Sequence, residues 1–181
     1  YNAWPGRVNY ANNNNEDSAQ VMARAGTPTT QEGLNSVEWS TTLPNNGVSI
    51  KNSEITGATQ IGIDILGDTS LDITSTKITN PGVYGVKTSG DNDVSFNGLT
   101  VKDTLNWPKN NIGYFSGTTA SGDVSIKNSL FEGLDVGIQF NNDFGTSIVN
   151  TDIKDGVTGL KIGGDANYDL MDLDITSMTG N

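Results

Sequence analysis

A short motif recurs through most of the chain: an apolar residue, a polar residue, a second apolar residue, any residue, and then usually Asn or Ser. Successive copies place the second apolar residue at intervals of 23, 23, 30, 22 and 27 positions. The six residues at this position are Ile50, Ile73, Phe96, Ile126, Ile148 and Ile175. Strict alternation of apolar and polar residues is typical of a β-strand. Strands that recur about every 22 residues restrict the chain to a repeat architecture.

Two further features share this period. Another apolar residue follows each Asn or Ser by three positions, at Ile55, Ile78, Val101, Phe131 and Ile153. An apolar-Gly-apolar element comes next, with its glycine at Gly62, Gly85, Gly113, Gly137 and Gly159. Each period thus predicts three short strands that stack on the next period at about 4.8 Å, with the six residues above forming one internal column. The glycine predicts a positive φ or a close backbone approach, and the Asn or Ser predicts a left-handed bend.

The pattern therefore predicts an all-β fold, a right-handed parallel β-helix (solenoid) of about six coils with an N-terminal cap. Over about residues 47–181 the motifs resemble the right-handed parallel β-helix proteins of the pectate-lyase-like superfamily, as a non-catalytic or uncharacterised member. An immunoglobulin-like sandwich also has short strands about every 8–12 residues. A sandwich, however, does not require Gly and Asn at one fixed phase of a 22-residue period.

The first 46 residues lack the repeat. A polar run precedes the segment from Glu16 to Gly26, which predicts a helix N-cap, a short helix and a glycine stop. We interpret 1–46 as an N-terminal cap or an irregular first coil, with Val37 and Trp39 facing inward. The alternative interpretation is a linker from an upstream domain. A cap would cover the strand edges that a bare terminal coil exposes.

The repeat region, residues 47–181, predicts a parallel β-helix that continues beyond Asn181. No segment like the N-terminal cap follows Thr176. We therefore expect the C-terminal edge to be covered by a partner or continued by further sequence. The expected partners are other domains of a longer chain or neighbouring protomers.

Composition excludes several functions. The chain has no histidine and no cysteine, which excludes Ser-His-Asp and Cys-His catalysis and cysteine-ligated metals. A net charge of −11, with Arg7 and Arg24 as the only arginines, argues against nucleic acid and anionic membranes as partners. No apolar run is long enough to predict membrane insertion. The acidic balance, together with the high content of Asn, Thr, Ser and Gly, predicts an extracellular or cell-surface location.

The resemblance implies which catalytic residues to seek. Polygalacturonase-like members carry Asn-Thr-Asp, Asp-Asp, Gly-His-Gly and Arg-x-Lys, and this chain matches only the first, at Asn150-Thr151-Asp152. That match falls where the repeat already places an Asn. Pectate-lyase-like members use an Arg or Lys base beside carboxylates that hold calcium, and no arginine follows Arg24. We predict no catalytic residue; the absence of catalysis is favoured, and a lysine base stays open.

Aspartates recur at one turn of the period. The candidate metal ligands are Asp68, Asp91, Asp93, Asp123 and Asp143, and Asp165 continues the series. Stacked carboxylates about 5 Å apart would repel each other by about 1 kcal/mol even in water. Calcium binds carboxylate and carbonyl oxygens and would relieve that repulsion. The alternatives are a weak calcium ridge and ordinary solvated Gly-Asp turns, and the sequence predicts no other cofactor.

The third period is longer than its neighbours, with its extra residues near positions 104–111. Loops that project from a rigid solenoid often carry binding function. Trp107, Lys109 and Asn110 are therefore candidate carbohydrate-binding residues, with Trp107 stacking on a sugar ring. The alternative is that Trp107 folds back over the face of the coil.

Three functions agree with these features. The favoured one is a structural or adhesive module of an extracellular cell-surface or surface-layer-type protein, without catalysis of its own. The second is a polysaccharide-binding or polysaccharide-lyase domain. The third is a self-assembling filament or sheath subunit whose open edge pairs with the next protomer.

Overall fold

The computed structural model describes residues 37–40, 47–67, 70–90, 93–105, 110–117, 122–141, 145–164 and 167–179. The helix predicted from Glu16 to Gly26 lies outside these ranges. Within them every regular element is a strand, so the all-β prediction is confirmed for this part of the chain. The described residues also contain no helix with the length and apolar character needed to cross a membrane.

Sixteen strands are described, and most are short. In chain order they are β1 (Val37–Ser40), β2 (Gly47–Lys51), β3 (Glu54–Thr56), β4 (Ile61–Leu66), β5 (Ser70–Thr74), β6 (Lys77–Thr79), β7 (Tyr84–Ser89), β8 (Val94–Asn97), β9 (Thr100–Lys102), β10 (Ile112–Ser116), β11 (Val124–Lys127), β12 (Leu130–Glu132), β13 (Val136–Phe140), β14 (Gly145–Lys154), β15 (Thr158–Ile162) and β16 (Asn167–Thr176).

The strands form two parallel sheets. The six-stranded sheet has the order β1-β4-β7-β10-β13-β15. The ten-stranded sheet has the order β2-β5-β8-β11-β14-β12-β9-β6-β3, with β16 paired to β14. The chain alternates between the sheets as it advances, which makes a parallel β-solenoid of about five turns. The predicted solenoid is therefore confirmed.

The predicted internal column is present over five coils. In the ten-stranded sheet Ile50, Ile73, Phe96, Ile126 and Ile148 are successive register partners, and each is at most 2% exposed. Each buried aliphatic side chain of this size contributes about 1.5–3 kcal/mol to folding. The column is therefore a large part of what holds the coils together.

The prediction was wrong for the sixth member of the column. Leu170, not Ile175, is the register partner of Ile148. Ile175 pairs with Ile153 and continues the second apolar column, that of Ile55, Ile78, Val101 and Phe131. The error arose because β16 runs through both strand positions of its coil, and both positions show the same alternating pattern.

Left-handed corners separate the two strand positions. The corner residues and their φ angles are Asn52 (49°), Ser75 (47°), Gly98 (75°), Asn128 (51°), Asn150 (48°) and Asp172 (49°). Asn, Asp and Gly tolerate this conformation best, so the predicted role of the recurrent Asn is confirmed. After four of these corners a buried or nearly buried Ser or Thr donates its hydroxyl to the carbonyl two residues back, at 2.8–3.1 Å.

The recurrent glycines lie within the six-stranded sheet at points of close approach. A Cβ on Gly113 would meet the carbonyl oxygen of Gly137 and the Cδ1 atom of Phe131, both at 2.5 Å. Gly62 and Gly85 are similarly crowded by the next coil and by the second apolar column. These three glycines do not have positive φ angles. Of the two predicted reasons for glycine, close approach is the one that the structure shows.

Candidate binding groove

An open groove of about 720 Å³ runs along the corner where the chain passes from the six-stranded sheet into the ten-stranded sheet. It spans five successive strands, β5, β8, β11, β14 and β16. Its direction is therefore along the axis of the solenoid, across the strands. A site with this shape fits a linear ligand better than a compact one.

One wall is a column of outward-facing polar residues. Asp72, Ser95, Ser125, Ser147 and Asp169 are successive register partners on the five strands. They alternate with the buried residues of the inner columns, so the strand pattern alone aims them outward. Hydroxyl and carboxylate groups thus recur along this wall at intervals of about 4.8 Å. The hydroxyl groups can donate and accept hydrogen bonds, whereas the carboxylate groups can only accept them.

The second wall lies two residues earlier in each coil. It contains Ser70, Asp93, Asp123, Gly145 and Asn167. Asp93 and Asp123 are neighbours, since the backbone N–H of Asp123 donates to Oδ1 of Asp93 at 3.2 Å. A Cβ on Gly145 would lie 2.5 Å from Oδ1 of Asp123. The missing side chain at Gly145 therefore gives the Asp123 carboxylate its space.

The groove is electrostatically negative. Asp72, Asp93, Asp123 and Asp169 line it, and none of the described lining residues is a lysine or arginine. Lys51 is close by, with its Nζ 3.3 Å from Oδ2 of Asp72. A surface lined by carboxylates repels anionic ligands and attracts cationic ones. The charge therefore argues against the acidic polysaccharides on which lyases of the resembled superfamily act.

Only part of the predicted aspartate series can be placed. Asp68, Asp91 and Asp143 lie outside the described residues. Asp93 and Asp123 are both exposed and share one position of the coil. Among the described residues no three His, Cys, Asp or Glu side chains come together as a metal site would require. Calcium binding stays a prediction.

The predicted carbohydrate-binding residues lie in the chain between β9 and β10. Trp107 and Lys109 lie outside the described residues, and Asn110 is exposed beside them. The segment 103–111 lies between β9 and β10, whereas the groove lies at the start of β8 and of its register partners, and Asn110 does not line it. Sugar binding by these three residues stays a prediction.

Side-chain hydrogen bonds hold the base of this loop. Buried Asn111 donates from Nδ2 to Oδ2 of Asp103 at 2.6 Å and accepts at Oδ1 from the backbone of Asp135 at 3.0 Å. The backbone N–H of Thr104 donates to Oδ1 of Asn80 at 2.8 Å. The longer third period is therefore anchored to the coils before and after it.

Sequence reasoning missed the serine wall. Its signal was present, because the middle residue of the recurring motif is serine at Ser49, Ser95, Ser125 and Ser147. Serine at that position also fits plain alternation, which needs no binding site to explain it. The Asn150-Thr151-Asp152 tripeptide, by contrast, lies at an ordinary corner, with Asn150 left-handed and Thr151 buried.

No model of a known protein family, no curated protein and no solved structure matches the chain. The geometry and chemistry of the solenoid are therefore the evidence for its function.

Proposed function

We propose that the chain is a structural or adhesive module of an extracellular cell-surface or surface-layer-type protein, without catalysis of its own. The observation that carries this proposal is the uninterrupted stack, in which each described coil repeats the inner columns of the last. Such a stack transmits one rigid register over its whole length. We also propose that the chain is a non-catalytic member of the pectate-lyase-like superfamily. The coil architecture and the repeated motifs support this assignment.

Hydrogen exchange tests whether the stack is one rigid unit. If the solenoid is one rigid module, amides of β4, β7, β10 and β13 exchange only through a shared, rare opening, and their protection factors agree within about tenfold. Gly98 at a corner, whose N–H donates to the carbonyl of Lys127 at 3.0 Å, should join the same class. Protection that falls by several orders of magnitude from coil to coil would contradict the proposal.

The groove favours a second function, the binding of an uncharged or cationic polysaccharide. Its serine wall offers hydroxyls in register, and its carboxylates suit amino sugars. We expect a fully deacetylated chito-oligosaccharide to bind in calorimetric titration at low ionic strength and polygalacturonate not to bind.

Two isosteric variants localise that binding. Asp123→Asn removes a groove carboxylate and should weaken binding of the chito-oligosaccharide several-fold. Asp152→Asn is the matched control, because Asp152 is exposed on β14 outside the groove and should leave binding unchanged. Equal losses in both variants would show unspecific charge attraction and would contradict a groove site.

A further inference from the structure

The last described coil exposes apolar residues that the preceding coils bury. Leu170 and Ile175 on β16 are 43% and 41% exposed. Their register partners on β14, Ile148 and Ile153, are at most 1% exposed. Within the described part of the chain β16 pairs with β14 alone, so its other edge has no strand beside it. An apolar edge of ten residues is a template for one more strand.

Charged side chains in this solenoid pair along its axis. In the most exposed example, Nζ of Lys77 lies 3.0 Å from Oε1 of Glu54. Opposite charges at facing positions of neighbouring strands stabilise the pairing of the strands, and like charges destabilise it. Three ion pairs between described residues join register partners on adjacent coils in this way: Lys77 with Glu54, Lys87 with Asp64, and Lys102 with Glu132. The charge on one coil therefore indicates the charge that suits the same position of the next.

β16 carries three carboxylates without such a partner. Asp169, Asp172 and Asp174 are exposed, and the ion pairs between described residues include none of them. Asp174 is the register partner of Asp152, so two like charges are already stacked at that position. Asp169 is the register partner of Ser147, which carries no charge. A lysine or arginine opposite Asp169, and another opposite Asp174, would therefore favour the addition of a strand.

A second copy of this chain does not supply that strand. An antiparallel pair of β16 strands would set aspartates of one copy against aspartates of the other. The first coil has the wrong charge, since continuing the register would set Glu54 against Asp174. It also has no free apolar face, because Ile50 and Ile55 are already buried within one copy. The charges therefore indicate a partner with a different sequence.

We propose that the edge of β16 binds a strand of another protein in which apolar residues alternate with basic ones. The added strand is parallel to β16, as the described strands of this sheet are to one another. Its apolar side chains cover Leu170, Leu173 and Ile175, and its basic side chains face Asp169 and Asp174. Backbone hydrogen bonds and apolar burial supply the affinity, and the charges select the partner.

A synthetic peptide tests this contact. It has the ten-residue sequence of β16 with the changes Asp169→Lys, Asp172→Asn and Asp174→Lys. Asn suits the left-handed corner, as it does at Asn128 and Asn150. The control peptide carries Asp172→Asn alone and keeps the other two aspartates. Fluorescence anisotropy of the labelled peptides at low ionic strength should show about tenfold tighter binding of the basic peptide to the natural chain.

Two results with the peptides would overturn the proposal. The first is equal affinity of the basic and control peptides, or no binding of the basic peptide at any concentration at which it stays monomeric. The second concerns general attraction to a chain of net charge −11. A peptide with the residues of the basic peptide in scrambled order keeps that attraction and loses the alternation, so it should bind markedly more weakly. Equal binding of the scrambled peptide would contradict a strand contact.

Charge reversal in the protein locates the peptide. Asp169→Lys with Asp174→Lys, shown to be folded by circular dichroism, should make the control peptide bind more tightly than the basic one. Asp93→Lys with Asp123→Lys makes the same change of net charge in the groove and should leave the order of the peptides unchanged. A reversal by the groove variant, or none by the edge variant, would overturn the proposal.

Sedimentation of the natural chain decides between this partner and a second copy. We expect a monomer over the concentrations at which the basic peptide binds. Self-association that Leu170→Lys abolishes would assign the edge to a second copy and would overturn the proposal. Glycan binding is measured at the groove and peptide binding at the edge, so failure of one is distinguishable from failure of the other.

Discussion

Single residues set the shape of each coil by the space and backbone angles that they allow. Glycine recurs within the six-stranded sheet because the next coil and the second apolar column leave no room for a Cβ. Asn recurs at the corner because the backbone there is left-handed. The repeat predicts both positions, but it does not distinguish crowding from backbone angle as the reason for glycine, since that distinction depends on the neighbouring coil.

Gly113→Ala should test the crowding. The new methyl group would lie 2.5 Å from the carbonyl oxygen of Gly137, and a shift of backbone costs about 1–3 kcal/mol. Gly163→Ala is the matched control, because its Cβ would have ordinary contacts, the nearest at 3.4 Å. Urea unfolding followed by circular dichroism measures both, and equal midpoints for the two variants would refute the crowding argument.

Asn128 tests the corner. Its backbone has a φ of 51°, and its Nδ2 donates to Oδ1 of Asn97 at 2.8 Å. Asn128→Gly keeps the backbone angle but loses this bond and the bond that Asn150 Nδ2 donates to Oδ1 of Asn128 at 2.8 Å, for a cost of about 1–3 kcal/mol. Asn128→Val also forces a β-branched residue into the left-handed region, which adds about 1–3 kcal/mol. A valine variant as stable as the glycine variant would show that the corner has relaxed to another conformation.

At the scale of the elements, the alternation of apolar and polar residues predicted where the strands lie. It was a poorer guide to which column of stacked residues each strand belongs to. Five of six members of the first column were correct, and Ile175 was assigned to the wrong column. Both strand positions end in a left-handed residue, Asp172 and Ser177 in the last coil. A pattern of apolar residues followed by such a corner therefore fits either position, and only the register between coils decides.

Burial within one column predicts graded stability. Ile126 is fully buried between Phe96 and Ile148, and Ile126→Ala should cost about 2–5 kcal/mol. Leu170 belongs to the same column on the last coil and is 43% exposed, so Leu170→Ala should cost about 1 kcal/mol in dilute solution. Thermal unfolding at low protein concentration compares the stability of the two variants. An equal loss of stability in both would contradict the position of Leu170 on an exposed edge.

The aspartate turns make a prediction about calcium. If the series that includes Asp93 and Asp123 binds the ion, millimolar calcium should raise the melting temperature above its value in sodium chloride of equal ionic strength with a chelator. Matching the ionic strength separates binding from the general screening of a chain of net charge −11. The same melting temperature in both solutions would refute the calcium hypothesis.

At the scale of the whole molecule, function depends on what stacking brings together. The repeat period predicted the solenoid because inner residues must cover one another from coil to coil. The groove was not predicted, because the serine that recurs in the motif, as at Ser95 and Ser125, fits plain alternation equally well until the register places the copies side by side. The exposure of Leu170 and Ile175 on β16 likewise follows only from the register, in which no described strand lies beyond β16.

Distances between spin labels test the stacking of the coils most directly. Ser49→Cys would be labelled together with Ser125→Cys, Ser147→Cys or Asp169→Cys, all outward positions of one register column. The labelled chain is diluted with unlabelled chain so that only distances within one copy are measured. A parallel solenoid predicts that the distance between the labels grows by about 5 Å with each further coil. Distances that stay constant or fall along this series would contradict the parallel solenoid.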